Sequence, residues 1–290
     1  MPAPAGRTVR RRRLGFELRR LREEAGLKLD QVAGRLDLAL STLSRIETGK
    51  APCRSTYAAA MLDMYNVTDR AQRELLIDMA RQGQRKDWWD RYGAVLPTGF
   101  GTYVGLEAEA ATLRAFETRV IHGLLQTDDY ARAALRAEDR KASAGDIDRL
   151  TELRMKRQEA LDRAEEPLEL WAILDEAVLH RQVGGAKTMR AQLGRLAEAS
   201  ELPNVTLQVL PFAQGSHAGL AGPFAILEFP GGGPAIMDPG VVYVESVAGN
   251  IYLEKDRQVR HWADVFDQLR AQALSPDESR QVIARVGAGT

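Results

Sequence analysis

Leu27–Lys50 reads LKLDQVAGRLDLALSTLSRIETGK, and the spacing of its apolar residues decides the fold of the N-terminal part of the chain. Leu29, Val32, Ala33 and Leu36 recur at helical intervals, and Leu40, Leu43 and Ile46 do so again. Only Asp37-Leu38-Ala39 separates the two runs, too little for a loop, so the second helix must cross the first steeply. Two helices joined this way form a helix-turn-helix, whose second member can enter the major groove of DNA. The same pattern also suits an αα-hairpin inside a helical bundle.

Working outward, Leu14, Leu18, Leu21 and Ala25 mark one face of a preceding helix that Gly26 ends. Tyr57, Met61 and Met64 stand at core spacing in a fourth helix, and residues 69–86 make a fifth, more polar one. This stretch, Leu14 to Val67, resembles the lambda-repressor-like (XRE) DNA-binding domain, with Ser44-Arg45-Ile46-Glu47-x-Gly49 as its signature. Asp37 stands where that family prefers glycine, a position that Asp tolerates because it adopts positive φ. Lys28 replaces the usual Ser or Thr cap of the second helix. The resemblance implies that Leu40, Ser41, Ser44 and Arg45 face base edges, while Gln31 and Thr42 clamp the DNA backbone and Lys50 adds a phosphate contact. Arg45 either forks to guanine, worth about 1–3 kcal/mol of discrimination, or packs on the backbone. Glu47 is implied to pair with an arginine of the first helix, and Gly49 to take the left-handed position after a helix end.

Charge divides the chain. Residues 1–60 hold 13 Lys and Arg against 6 Asp and Glu, a net of +7, and the remaining 230 hold 27 against 34, a net of −7. A basic head on an acidic body fits one domain that meets phosphate and another that does not. Residues 1–13 are expected to form a disordered basic arm. In it Arg10, Arg11, Arg12 and Arg13 either reach phosphates or a minor groove or are simply solvated. A helix-turn-helix domain over 14–83, a linker over 84–104 and a second domain over 105–290 complete the expected division of a chain long enough for two cores. The single cysteine, Cys53, excludes an intrachain disulfide and a thiolate zinc cage, and no cofactor or metal is expected. There is no apolar run of about 18 residues to span a membrane, nor the apolar core of a secretory signal, so a cytoplasmic location is expected.

The second domain reads as α/β (α+β). Residues 106–135 suggest helix, short loop and helix. Strands are predicted at 168–174, at 205–209 with Thr206 and Gln208 on a polar face, and at 224–229. Residues 241–246 and 250–254 should form a hairpin. Helices are predicted at 189–199 and 259–273, and Ser275-Pro276-Asp277-Glu278 is a capping box that opens a last one. Gly123-Leu124-Leu125-Gln126-Thr127, Arg154, Arg157-Gln158, Leu174-Asp175-Glu176-Ala177, Val183-Gly184-Gly185 and Val209-Leu210-Pro211-Phe212 resemble the C-terminal domain of actinomycete antitoxin-like (Scr-type) transcriptional regulators. His122 stands where that family has proline.

Catalytic constellations are absent from the sequence pattern. The element order is similar to one half of a phospholipase-D-type fold, whose superfamily uses H-x-K-x4-D. His217, however, has Gly219 and Phe224 at the Lys and Asp positions, and His122, His180 and His261 have Leu124, Gln182 and Ala263 two residues on. Such a site would be degenerate. Asp175 and Glu176 point to opposite faces of a strand and are expected to pair with Arg154 or Arg157. Gly231-Gly232-Gly233 has no following Lys and reads as a hairpin loop. Four scattered histidines give no metal spacing. The expected function is a sequence-specific transcriptional regulator, a homodimer on a double-stranded DNA operator. The antitoxin-like resemblance implies control by a small partner protein. The alternative is a small-molecule ligand in a pocket of Glu107, Phe116, Gln126, Tyr130 and Trp171, where the resemblance is dense; a phosphodiesterase ranks last.

Overall fold

The computed structural model describes residues 9–84, 87–230, 240–246 and 249–290. It contains two compact units: an all-α one reaching Gly93 and including Gly99–Glu109, and an α/β one built from Ala94–Thr98, 110–230 and 240–290.

The first unit comprises α1 (Val9–Glu24), α2 (Leu29–Arg35), α3 (Leu40–Glu47), α4 (Ser55–Met64) and α5 (Arg70–Gln82), then a 3-10 turn at Trp88–Tyr92 and α6 (Phe100–Glu109). Leu14, Leu18, Leu21, Val32, Leu43, Ile46, Met61, Leu62 and Leu76 form its buried core. Asp37 closes the turn between α2 and α3 with φ 52°, and Leu38 N donates to Ala33 O at 3.0 Å. At the start of α2, where Lys28 offers no acceptor, Gln31 Oε1 accepts from Lys28 N at 2.8 Å. One half of a capping box thus holds the helix start. Asp69 caps α5 by accepting from Gln72 N at 3.1 Å.

Two expected boundaries are corrected. The described part of the basic arm is helical, because α1 begins at Val9. Val9, Arg11 and Arg12 are buried there, so the first turn packs instead of trailing into solvent; residues 1–8 lie outside the described residues. The expected linker is also largely structured. Trp89, Tyr92, Tyr103, Val104 and Leu106 are buried, which draws the 3-10 turn and α6 into the first unit.

The second unit is a single six-stranded sheet in the order β3-β2-β1-β4-β5-β6. Its strands are β1 (Thr112–Glu117), β2 (Glu169–Asp175), β3 (Val205–Leu210), β4 (Phe224–Glu228), β5 (Val241–Ser246) and β6 (Gly249–Leu253). β1, β2 and β3 run parallel, and β4, β5 and β6 continue antiparallel from β1. Parallel neighbours need helical crossovers. These are α7 (Asp128–Glu138) with α8 (Ala144–Gln158), and α9 (Ala177–His180) with α10 (Ala186–Ala199). α11 (Asp256–Gln272) covers one sheet face, where Phe116, Ile173, Phe224, Ile226 and Val242 meet Val259, Phe266 and Leu269. α12 (Pro276–Gly289) starts at the expected capping box: Glu278 Oε2 accepts from Ser275 N at 2.9 Å, and Ser275 Oγ accepts from Glu278 N at 3.3 Å.

The helix–loop–helix reading of 106–135 is corrected, since residues 112–117 are a central strand. Leu113, Ala115 and Phe116 are all fully buried, which only a strand covered on both faces requires. Only half of the polar face expected of β3 is withdrawn from water, since Thr206 stays partly exposed. Gln208 is buried, accepts from Trp171 Nε1 at 2.9 Å and donates to Leu274 O at 2.8 Å.

Candidate nucleic-acid interface

The sequence of α3 sorts its residues onto two faces. Leu43 and Ile46 are buried, while Leu40, Ser41 and Arg45 are exposed, with Thr42 and Ser44 partly so. Gln31 on α2 and Lys50 just beyond α3 are also exposed. Leu40, 51% accessible, is a large apolar side chain on the outer face of a helix, suited to apolar contact with a thymine methyl.

The helix is held from behind. Arg22 in α1 forks onto Glu47, Nε to Oε1 at 2.7 Å and Nη2 to Oε2 at 2.9 Å, and its Nη1 donates to Leu27 O at 2.9 Å. Both partners are buried, and the Glu47 carboxylate holds the Arg22 guanidinium above the usual arginine range. Such bidentate charge-assisted pairs fix geometry as well as energy. Gly49 has φ +66°, and a Cβ there would stand 2.8 Å from Arg12 Cα; neither the torsion nor the space admits a side chain. The single thiol, Cys53, lies in this core with its pKa pushed up to about 12 by burial, so it is an apolar filler and not a reactive group.

Electrostatics separates cations already paired from cations still available. Arg19 pairs with Glu23, and Arg20 with Glu17 and Glu24. Among the described residues Lys28, Arg35, Arg45 and Lys50 enter no ion pair and are exposed. The sequence marks Lys28 only as a cap position and Arg35 not at all; their mark as available cations is the lack of an acid three or four residues away on the same helix. Arg11 and Arg12, by contrast, are buried, and Arg11 Nε donates to Gly83 O at 2.5 Å. They are not presented to DNA in this conformation, contrary to the expectation for the arm; Arg13 is half-buried.

Of the five expected pocket residues, the four that lie in the second unit do not assemble. The period of two along strands places Phe116 and Trp171 on the face beneath α11. There Phe116 meets Phe224 and His217, and Trp171 stands edge-on to Phe266. Gln126 and Tyr130 serve a loop instead: Ile121 O accepts from Gln126 Nε2 at 2.6 Å, and Ile121 N donates to Tyr130 Oη at 3.2 Å. Glu107 is buried in α6 of the first unit. Two glutamines complete the loop's support: Gln158 donates to Gly123 O and Gln126 O, and Gln192 bonds Thr127 N and Leu125 O at 2.7 Å each. The Gly-Leu-Leu-Gln-Thr motif is therefore a loop whose backbone polar groups are met by buried and half-buried side chains. An open groove of about 600 Å³ lies elsewhere in this unit, lined by Glu176, His180, Gln182, Ala186, Val282 and Arg285 among others.

Asp175 and Glu176 do not pair with Arg154 or Arg157. Asp175 Oδ1 accepts from Ala177 N at 2.8 Å, and Glu176 Oε2 accepts from Phe212 N at 2.8 Å, so both bind backbone at the end of β2. His217 Nδ1 accepts from Gly219 N at 3.2 Å. A Cβ at Gly219 would stand 2.3 Å from the Phe116 ring, so the position two residues after His217 has no room for a side chain. Among the described residues no three metal-ligating side chains converge, and no helix is long and apolar enough to cross a membrane.

Comparison with known proteins follows the same division of the chain. Residues 13–76 match the family described as Helix-turn-helix domain. No curated protein and no solved structure matches the chain. Residues 100–285, more than half of the chain, match the family described as Domain of unknown function (DUF5753), and to that family, here joined to a helix-turn-helix, the chain belongs.

Proposed function

We propose that the chain is a sequence-specific transcriptional regulator of the lambda-repressor-like kind, acting in the cytoplasm as a homodimer on a double-stranded operator. The observation that carries this reading is the outer face of α3. There Arg45, exposed and free of ion pairs among the described residues, stands with Leu40, Ser41 and Ser44. Behind it the Arg22–Glu47 fork fixes the helix. Gln31, Thr42 and Lys50 then take the backbone contacts that position the helix without reading sequence. Binding-site selection with the purified chain, repeated with Arg45→Ala at two salt concentrations, tests it. A palindromic motif relaxed at one position supports direct readout. Salt-sensitive binding without any motif overturns it.

Control through the second unit follows the antitoxin-like resemblance: a small partner protein bound there sets operator occupancy. Co-expression with any small protein encoded beside it, and a pull-down, tests this; recovery of the regulator alone counts against it. The small-molecule alternative loses its expected pocket, because Phe116, Gln126, Tyr130 and Trp171 have other structural duties, and would have to use the groove beside His180 and Arg285. A non-catalytic role is part of the proposal. His217 is committed to a backbone amide and Phe116 fills the space where a phosphate-binding lysine would project. A phosphodiesterase assay with added divalent ions is expected to be blank, and turnover would refute it.

A further inference from the structure

Beyond residue 60 the chain holds 34 Asp and Glu against 27 Lys and Arg, yet two stretches of the second unit carry no acid. Residues 177–197 hold Arg181, Lys187, Arg190 and Arg195, and residues 279–290 hold Arg280 and Arg285. Spread evenly, the acids of this part of the chain would place about five within them. The fold brings the two stretches together. α10 packs on α12, and α12 also meets α9. Between them runs the open groove of about 600 Å³, all of it within the second unit. One wall is a face of α12 with Val282, Arg285 and Val286 at helical spacing, and His180 and Ala186 stand on the other. Arg190 follows Ala186 at i+4, on the same face of α10. Lys187, Arg190 and Arg285 are exposed and enter no ion pair among the described residues.

Glu176 is the one carboxylate side chain along the groove among the described residues, and both of its oxygens are engaged. Oε1 lies 3.5 Å from His180 Nε2, and Oε2 accepts from Phe212 N at 2.8 Å. This holds the Phe212 ring, 60% accessible, stacked on His180 with 6.0 Å between centroids. An exposed aromatic ring and an apolar helix face beside arginine are what protein-recognition surfaces are made of. Arginine also grips carboxylates with two parallel bonds. A small molecule would stay largely in water here, whereas ligand sites enclose most of their ligand. A phosphate backbone would leave Val282, Val286 and Phe212 without a contact. The acidic remainder of this part of the chain repels an acidic partner everywhere else, which steers it to this face. We propose that the groove between α9–α10 and α12 docks an acidic segment of a partner protein, with carboxylates on Arg285, Lys187 and Arg190 and an apolar side chain against Val282, Val286 and Phe212. The assignment rests on the control by a partner protein read above, and adds the face and the chemistry through which that partner binds.

The test selects random peptides of about twelve residues on the full chain, since short acidic motifs suffice for recognition of this kind. Enrichment of Asp or Glu beside Leu or Phe is expected. The selected peptides should lose at least about tenfold in affinity on Arg285→Glu, and nothing on Arg257→Glu in α11, an exposed arginine away from the groove. Peptides without acidic residues, or undiminished binding to an Arg285→Glu chain that melts like the parent, overturn the docking surface. With a mixed-sequence duplex as second probe, Arg285→Glu is expected to leave DNA affinity unchanged. Weakened duplex binding makes the patch a DNA contact and overturns the peptide assignment. Adding a selected peptide to the parent chain is expected to shift its affinity for the duplex. Peptide bound without any such shift overturns control through this unit and leaves the docking surface standing. Should Arg285→Glu not fold, Phe212→Ala, at an exposed ring, carries the same peptide readout.

Discussion

Glu47 shows how a signature residue can serve the outer face of α3 while itself lying buried behind it. Its carboxylate is spent on Arg22. Arg22→Ala leaves Glu47 buried and unpaired, and about 3–5 kcal/mol of stability should be lost. Urea unfolding measures this, and a loss below about 1 kcal/mol would contradict the assigned role. Arg45→Ala should leave the unfolding midpoint unchanged and instead remove about 1–3 kcal/mol of discrimination at one base position. Glu117, at the end of β1, behaves differently from both. Its pKa is pushed up to about 8, by dehydration first and by Glu245 second. A carboxyl group raised in the folded state binds more protons folded than unfolded. Stability should therefore fall as pH rises from the usual glutamate range through about 8. Glu117→Gln should flatten that slope in pH-dependent melting of the second unit, and an unaltered slope would place the titration elsewhere.

At the scale of elements, periodicity was informative wherever one face of a segment is buried and the other wet. α1 to α5, α10, α11 and the β5–β6 hairpin show such contrast in the residues themselves, and Leu43→Ala in α3 should cost about 2–5 kcal/mol for that reason. Thr112–Glu117 does not. Its alternation of half-buried Thr112 and Arg114 with buried Leu113 and Ala115 is short and breaks at Phe116, and the helical spacing that begins in α6 runs into it. The interface residues of α3 could be read because a short motif carries them. β3 shows a further device that sequence does not reveal. Val209 O accepts from Leu274 N at 2.9 Å, and Val209 N donates to Ser279 Oγ at 2.9 Å. These bonds seal an edge strand that could otherwise pair with another chain. Ser279→Ala strips the partner from a buried amide, and a loss of about 1–3 kcal/mol is expected in thermal or urea melts.

At the scale of the whole molecule, a net of +7 in the first 60 residues against −7 in the rest should make the proposed association with DNA strongly salt-dependent, because the acidic part repels the same phosphates. Sedimentation of the free chain at tens of micromolar should show a dimer, and a pure monomer would contradict the proposed two-fold operator geometry. The boundary between inherited segment and folding unit is displaced. The DUF5753 match begins at residue 100, yet α6 folds with the helix-turn-helix, burying Tyr103, Val104, Leu106 and Glu107 there. A graft that joins this body to a foreign head at the family boundary would carry α6 into a host lacking α1 and the 3-10 turn on which it packs. Modular exchange in such proteins is therefore constrained by a ten-residue passport that travels with one partner and is read by the other.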